Sequence, residues 1–149
     1  MERVLDPRDY GTFGLGCWAI GGPFYESDGR ALGWGEVDDR ESIAAIRRAL
    51  ELGVRIFDTA DVYGAGHSDR VVGEALGDRR GDVLVVSKFV NVFDEATKRV
   101  SGQSCEPDHI RAACAASLGR LGTDYLDVLL LHMWDIQDEQ VDPVIDTLE

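Results

Sequence analysis

Four times along the 149-residue chain a short aliphatic run is followed by a segment of helical periodicity. The first run lies within residues 12–18 (TFGLGCW). After a Gly-rich connection over 19–37, Asp38 or Asp39 offers an N-cap, and Ile43, Ile46 and Leu50 recur at helical spacing until Gly53. A second run, 54–58, leads through a Gly-containing loop to a helix expected to be capped by Ser68 and to run through Val72 and Leu76 to Gly77. The third, 82–88 (DVLVVSK), has the continuous aliphatic character of a strand covered on both faces. A long loop, 89–105, then precedes Pro107 at a first helical position, with Ile110, Cys114, Leu118 and Leu121 as the buried stripe. The fourth run is 126–131, and 143–149 reads as the opening of another helix. Such alternation predicts an α/β fold with a parallel sheet and right-handed crossovers. The sheet is either open and doubly wound or closed as a (β/α) barrel, and alternation alone does not separate the two. No polar linker or low-complexity stretch divides residues 1–149, so a single domain is expected.

Charge and composition remove several function classes. With 15 Lys+Arg against 28 Asp+Glu, the net charge of −13 argues against nucleic-acid or anionic-membrane partners, which need clustered cations. The longest apolar runs, 83–86 and 128–131, fall far below the roughly 18 residues of a membrane span. The N-terminus mixes Glu2, Arg3, Asp6, Arg8 and Asp9 and lacks the apolar core of a signal peptide. Cys17, Cys105 and Cys114 have no CxxC spacing, so neither a disulfide framework nor a structural metal is expected. The expectation is a cytoplasmic protein with reduced thiols.

Four polar residues fall at or just after strand ends: Asp58 and Tyr63 after the second, Lys88 at the end of the third, and His132 at the end of the fourth. A parallel sheet brings all those ends to one face, where α/β folds place their sites. Taken singly, each has an ordinary structural reading. Asp58 is a turn acceptor, Tyr63 a rim aromatic, His132 a satisfied structural histidine, and Lys88 needs a carboxylate partner such as Asp58. Together they form a proton-donating unit. An ammonium beside a phenol favours the phenolate and eases proton transfer, the aspartate holds the ammonium, and the imidazole N–H orients a carbonyl.

Several motifs in order then resemble the aldo-keto reductase superfamily. They are Gly-Leu-Gly-Cys-Trp (14–18), Phe-Asp-Thr-Ala-Asp-Val-Tyr-Gly (57–64) continuing to Gly-Glu-Ala-Leu (73–76), Val-Val-Ser-Lys (85–88), and Ser-Leu-Gly-Arg-Leu-Gly-Thr-Asp-Tyr-Leu-Asp-Val-Leu-Leu-Leu-His (117–132). The resemblance implies a (β/α)8 TIM-type barrel, of which about four βα units are present. It implies an NAD(P)H-dependent reductase of aldehydes and ketones with a tetrad on Asp58, Tyr63, Lys88 and His132, and NADP(H) ahead of NAD(H), without metal. By the same carry-over Cys17, Trp18 and Asp58 lie beside the nicotinamide half of the cofactor. Trp18, Phe24, Tyr25, Trp34, Phe89 and Trp134 are candidate walls for a small-molecule carbonyl substrate.

Two departures accompany the matches. Asp69 stands where the family pattern usually has Glu, and 149 residues fall short of the roughly 250 of a whole barrel. The units that bind the nicotinamide amide, the diphosphate and any 2′-phosphate are not among these residues, so the chain alone is expected to be poorly active. A half barrel exposes two sheet edges, and self-association through them is expected. The competing reading is a non-catalytic, nucleotide-binding regulatory subunit of the same fold. A metal-dependent hydrolase around His132 and Asp135 is a weaker third, because His67 and His109 lack ligand spacing.

Overall fold

The computed structural model describes Asp6, residues 9–133 and residues 135–149. Its main sheet has four strands, β1 (Leu15–Gly16), β3 (Ile56–Asp58), β4 (Leu84–Phe89) and β7 (Val128–Leu131). They are hydrogen-bonded in the order β1-β3-β4-β7 and every pairing is parallel. The intervening helices are α1 (Asp39–Glu51), α2 (His67–Leu76) and α3 (Pro107–Leu121), with α4 (Asp138–Leu148) after β7.

Local chemistry sets these boundaries. Asp38 caps α1 by accepting from the backbone N–H of Arg40 at 2.8 Å, and Gly53 leaves its far end at φ 93°. Pro107 opens α3 and Gly122, left-handed, closes it. Two expectations are corrected here. Gly66, not Ser68, caps α2, because the Ser68 hydroxyl is used elsewhere, donating to the Cys17 carbonyl at 2.9 Å. The last helix starts at Asp138 rather than at Pro143, since Gln137 and Gln140 form a reciprocal capping box upstream and the proline is carried inside the helix.

A larger correction concerns residues 89–105, expected as a loop. They form a hairpin of β5 (Asn91–Asp94) and β6 (Arg99–Gln103), which β2 (Tyr25–Glu26) joins by parallel pairing with β6. The chain leaves β4 through Val90 at φ 113°, which turns the strand out of the main sheet. The tip is held by Asp94, whose Oδ1 accepts from both the backbone N–H and the hydroxyl of Thr97 at 2.7 Å.

The period of two along each strand sorts the side chains. Phe57, Val85 and Phe89 are fully buried and face the helices, where the core also takes Ile46, Val72 and Ile110. Val86 and Lys88 point to the opposite, concave face, level with Asp58 and Leu130 in the pairing register. That face is open at Leu130, which is 43% exposed. The two outer strands, β1 and β7, each have one pairing side free among the described residues. We therefore expect the 149-residue polypeptide to sediment as an assembly of copies, through apolar contact and edge pairing. A well-folded, monodisperse monomer in analytical ultracentrifugation would contradict this.

Candidate active site

Asp58, Tyr63, Lys88 and His132 meet at the C-terminal edge of the main sheet. Lys88 Nζ donates to Asp58 Oδ1 at 2.7 Å and to the Thr59 carbonyl at 2.7 Å. The same ammonium lies 5.0 Å from the centre of the Tyr63 ring. The His132 ring stands edge-on to Tyr63 with centroids 5.8 Å apart and planes at 84°. On Tyr63 the indole of Trp18 also lies nearly parallel, at 5.8 Å and 14°.

Backbone geometry fixes each of these positions. Asp58 pairs in register with Val86, and Lys88 lies two residues further along β4, so both side chains emerge on one face. His132 continues the β4–β7 ladder through its N–H to the Phe89 carbonyl at 3.1 Å. The turn at Tyr63 depends on two glycines that touch. A Cβ on Gly64, which has φ 62°, would sit 1.8 Å from Gly21 O, and a Cβ on Gly21 would sit 2.7 Å from the Tyr63 carbonyl carbon. This contact presses the short 3-10 turn Ala19–Gly21, with Trp18 at its start, against Tyr63.

The lysine's charge is largely desolvated. The Lys88 side chain is only 12% exposed, so its Asp58 partner stabilises an ammonium that water scarcely reaches. Burial foremost, and then Lys88, push the His132 pKa below its ordinary value, with Asp58 opposing. The imidazole is thus neutral near pH 7, with one nitrogen donating and one accepting. A cavity of about 380 Å³ opens over Tyr63 and His132. Phe24, Val62 and Val100 form its apolar wall, while Asn91 and Gln103 add amides to its rim.

Among the candidate walls, Trp18 and Phe24 line this cavity. Trp34 stands behind Trp18, edge-on at 6.0 Å, and is 73% exposed, while Tyr25 lies half-buried on β2 outside the lining. Phe89 faces the helices beside Ile110 and Val144, so the strand's period removes it from the mouth. Trp134 falls outside the described residues. Cys17 is also turned away. It follows Gly16, the register-mate of Asp58, and its side chain is fully buried with Ile46 and Val72. Burial, with Asp58 adding to it, pushes its thiol up to about 12. Asn91 and Gln103 were not anticipated, because the polar segment that bears them read as a loop.

Behind Tyr63 lies a second acidic group. Asp61 is 1% exposed, and among the described residues neither carboxylate oxygen has a well-aligned hydrogen-bond partner. Burial and then Asp69 push its carboxyl from 3.8 up to about 7, against the pull of the Val62 amide, Arg120 and Lys88. Between about pH 4 and 7 the folded chain therefore holds a proton that the unfolded chain releases. Stability should fall as pH rises through that window and level off above it. In Asp61→Asn this part of the slope, worth a few kcal/mol, is expected to vanish from urea midpoints measured against pH. An unchanged slope would assign the proton uptake elsewhere.

Residues 13–149 match the family model of the aldo/keto reductase family. The chain belongs to that family. A curated relative, the NADH-specific methylglyoxal reductase of Escherichia coli, is 33% identical over 144 residues, covering 91% of this chain and 41% of the relative. The holo form of an aldo-keto reductase from Bacillus halodurans superposes with a TM-score of 0.73 at 30% identity, covering 90% of this chain and 39% of that one. An aldo-keto reductase from Klebsiella pneumoniae in complex with NADPH gives 0.64 at 31% identity, over 91% and 40% of the two chains. The chain spans 29–41% of the length of the first curated relatives it matches. For this aldo/keto reductase chain the parallel order β1-β3-β4-β7, with helices along one face, is that of a partial (β/α) barrel. No helix among the described residues is long and apolar enough to cross a membrane.

Proposed function

We propose that the chain supplies the catalytic side chains of an NAD(P)H-dependent reductase that converts small aldehydes and ketones to alcohols. The observation that carries this reading is the Lys88–Asp58 ion pair set against Tyr63, with His132 edge-on to the same ring. When bound, the reduced nicotinamide supplies the hydride. Trp18 and Asp58, at the mouth beside Tyr63 and Lys88, are the residues of this segment that would flank it. The Asp58 side chain remains 42% exposed, open to a ligand's donors while its Oδ1 holds Lys88.

Tyr63 donates its phenolic proton to the carbonyl oxygen as negative charge develops there. Lys88 lowers the cost of the resulting phenolate, and Asp58 with the Thr59 carbonyl keeps the ammonium in place. The neutral imidazole of His132 directs an N–H at the same oxygen. Phe24, Val62 and Val100 receive the apolar part of the substrate and exclude water.

The similarity to a methylglyoxal reductase makes that small dicarbonyl the first substrate to try, beside an activated aromatic aldehyde. The NADPH complex of one relative favours NADPH, and the NADH specificity of another calls for both cofactors in the assay. The test is reduced-cofactor oxidation by this segment joined to the remaining strands of a relative's barrel. Carbonyl-dependent oxidation is expected. Quenching of tryptophan fluorescence by NADPH without any turnover would instead favour a non-catalytic nucleotide-binding subunit.

A further inference from the structure

The hairpin of β5 and β6 lays a chain of amides against His132. Asn91 and Gln103 are register partners, so their side chains meet at the open end of the hairpin. Gln103 Nε2 lies 3.4 Å from the His132 carbonyl oxygen and 3.4 Å from Asn91 Oδ1. Asn91 Nδ2 lies 3.4 Å from His132 Nδ1.

Donor and acceptor identities propagate along this chain from one fixed point. A backbone carbonyl only accepts, so Gln103 must turn its NH2 toward His132 O. That NH2 has a second hydrogen, and it faces Asn91, whose oxygen must therefore be the atom opposite. The Asn91 NH2 is then left facing the imidazole. An amide NH2 only donates, so Nδ1 of the neutral ring accepts and the ring proton resides on Nε2. Each contact is long for a hydrogen bond, and such bonds tighten when a ligand closes the site.

We propose that Asn91 and Gln103 are positioning residues that hold His132 in its Nε2–H tautomer, leaving that N–H for a ligand oxygen at the cavity mouth. The use of the proton rests on the reductase reading above; the tautomer is a property of these three residues alone. Val90 makes the arrangement available. By turning the strand at φ 113° it places Asn91 three residues beyond Lys88, yet outside the main sheet and over the histidine.

The test is the long-range ¹⁵N–¹H correlation spectrum of the imidazole rings in the 149-residue chain, at mildly alkaline pH. The His132 signals are assigned by their loss in His132→Gln. The wild-type ring is expected to show Nδ1 as the unprotonated, pyridine-like nitrogen and Nε2 as the protonated one. Asn91→Asp puts an acceptor opposite Nδ1, and the two nitrogens should exchange character. Gln103→Glu is the sharper variant, because residue 103 does not touch Nδ1. A carboxylate there accepts from the Asn91 NH2, turns the Asn91 oxygen toward the ring, and should produce the same exchange. Loss of packing alone would not protonate Nδ1.

Nδ1 remaining unprotonated in both variants would overturn the proposal. An exchange in Asn91→Asp without one in Gln103→Glu would overturn the part assigned to Gln103. Neither reading depends on turnover, so failure of the joined barrel to oxidise NADPH or NADH would sink the reductase assignment and leave the tautomer result standing.

Discussion

Tyr63→Phe is expected to lower kcat by about 10²–10⁴-fold in the barrel carrying this segment, the usual contribution of a positioned general acid. KM should change little. The phenyl ring keeps the parallel stack on Trp18 at 5.8 Å and the edge-on contact with His132, so only the hydroxyl is lost. The substitution thus removes an interaction made in the transition state while sparing the ground-state walls, and kcat and kcat/KM should fall together. Single-turnover measurements with excess cofactor would separate this from slowed product release. A variant that turned over at the wild-type rate would remove Tyr63 as the acid and leave His132 as the remaining candidate.

Arg120→Leu is expected to cost about 3–5 kcal/mol of folding stability, because it strands a buried carboxylate. Asp69 is 0% and Arg120 7% exposed in their side chains. Arg120 Nε and Nη2 both donate to Asp69 Oδ2 at 3.1 Å, and the Thr59 hydroxyl donates to Oδ1 at 3.1 Å. Burial alone raises the Asp69 pKa, and the guanidinium pulls it back. Without Arg120 the carboxylate must stay unpaired or take up a proton. Urea unfolding should show a lower midpoint at unchanged slope. Replacing both partners, Asp69→Leu with Arg120→Met, should recover most of the loss, since no buried charge is then left alone. A double variant as unstable as Arg120→Leu would show that cavity formation, not the stranded charge, sets the cost.

The two predictions meet at Thr59. Its hydroxyl donates to Asp69 and lies 2.9 Å from that of Ser68, while its carbonyl accepts from Lys88. The Asp69–Arg120 pair therefore anchors from behind the backbone that holds the lysine. In the sequence Asp69 stood out only as a departure from the family's usual Glu. Its pairing with Arg120, 51 residues away, is a tertiary fact that no local pattern encodes.

The meeting of the candidate site residues was legible because it obeys a rule of topology. Strand ends in a parallel sheet share a face, so Asp58, Lys88 and His132 needed only correct strand placement to be brought together. Two of the candidate residues are turned away from the site for one shared reason. Cys17 and Phe89 also lie near strand ends, but the alternation of side chains sends them to the helix side, and a one-residue difference in phase decides which face a residue serves. The hairpin was missed for a different reason. β5 and β6 are short and largely polar, and their pairing is stabilised by the Asp94 turn and by β2 from a distant part of the chain. Only Val92, Phe93 and Val100 hinted at strands there, too few to outweigh the surrounding polarity.

For redesign of the substrate mouth, the contact between Gly21 and Gly64 sets what can be varied independently. The long 19–37 connection looks like a natural place for a combinatorial library, since its Phe24 lines the pocket and its Trp34 stands behind Trp18. Any side chain at position 21 would wedge that connection away from the Tyr63 turn, and with it the indole that covers the phenol. On the proposed reductase reading, diversity beyond Gly22 would retune the wall, whereas diversity at Gly21 would separate substrate recognition from proton delivery. A library that keeps both glycines fixed should yield altered preference, whereas one that randomises either should yield inactive clones whatever the rest of the loop contains.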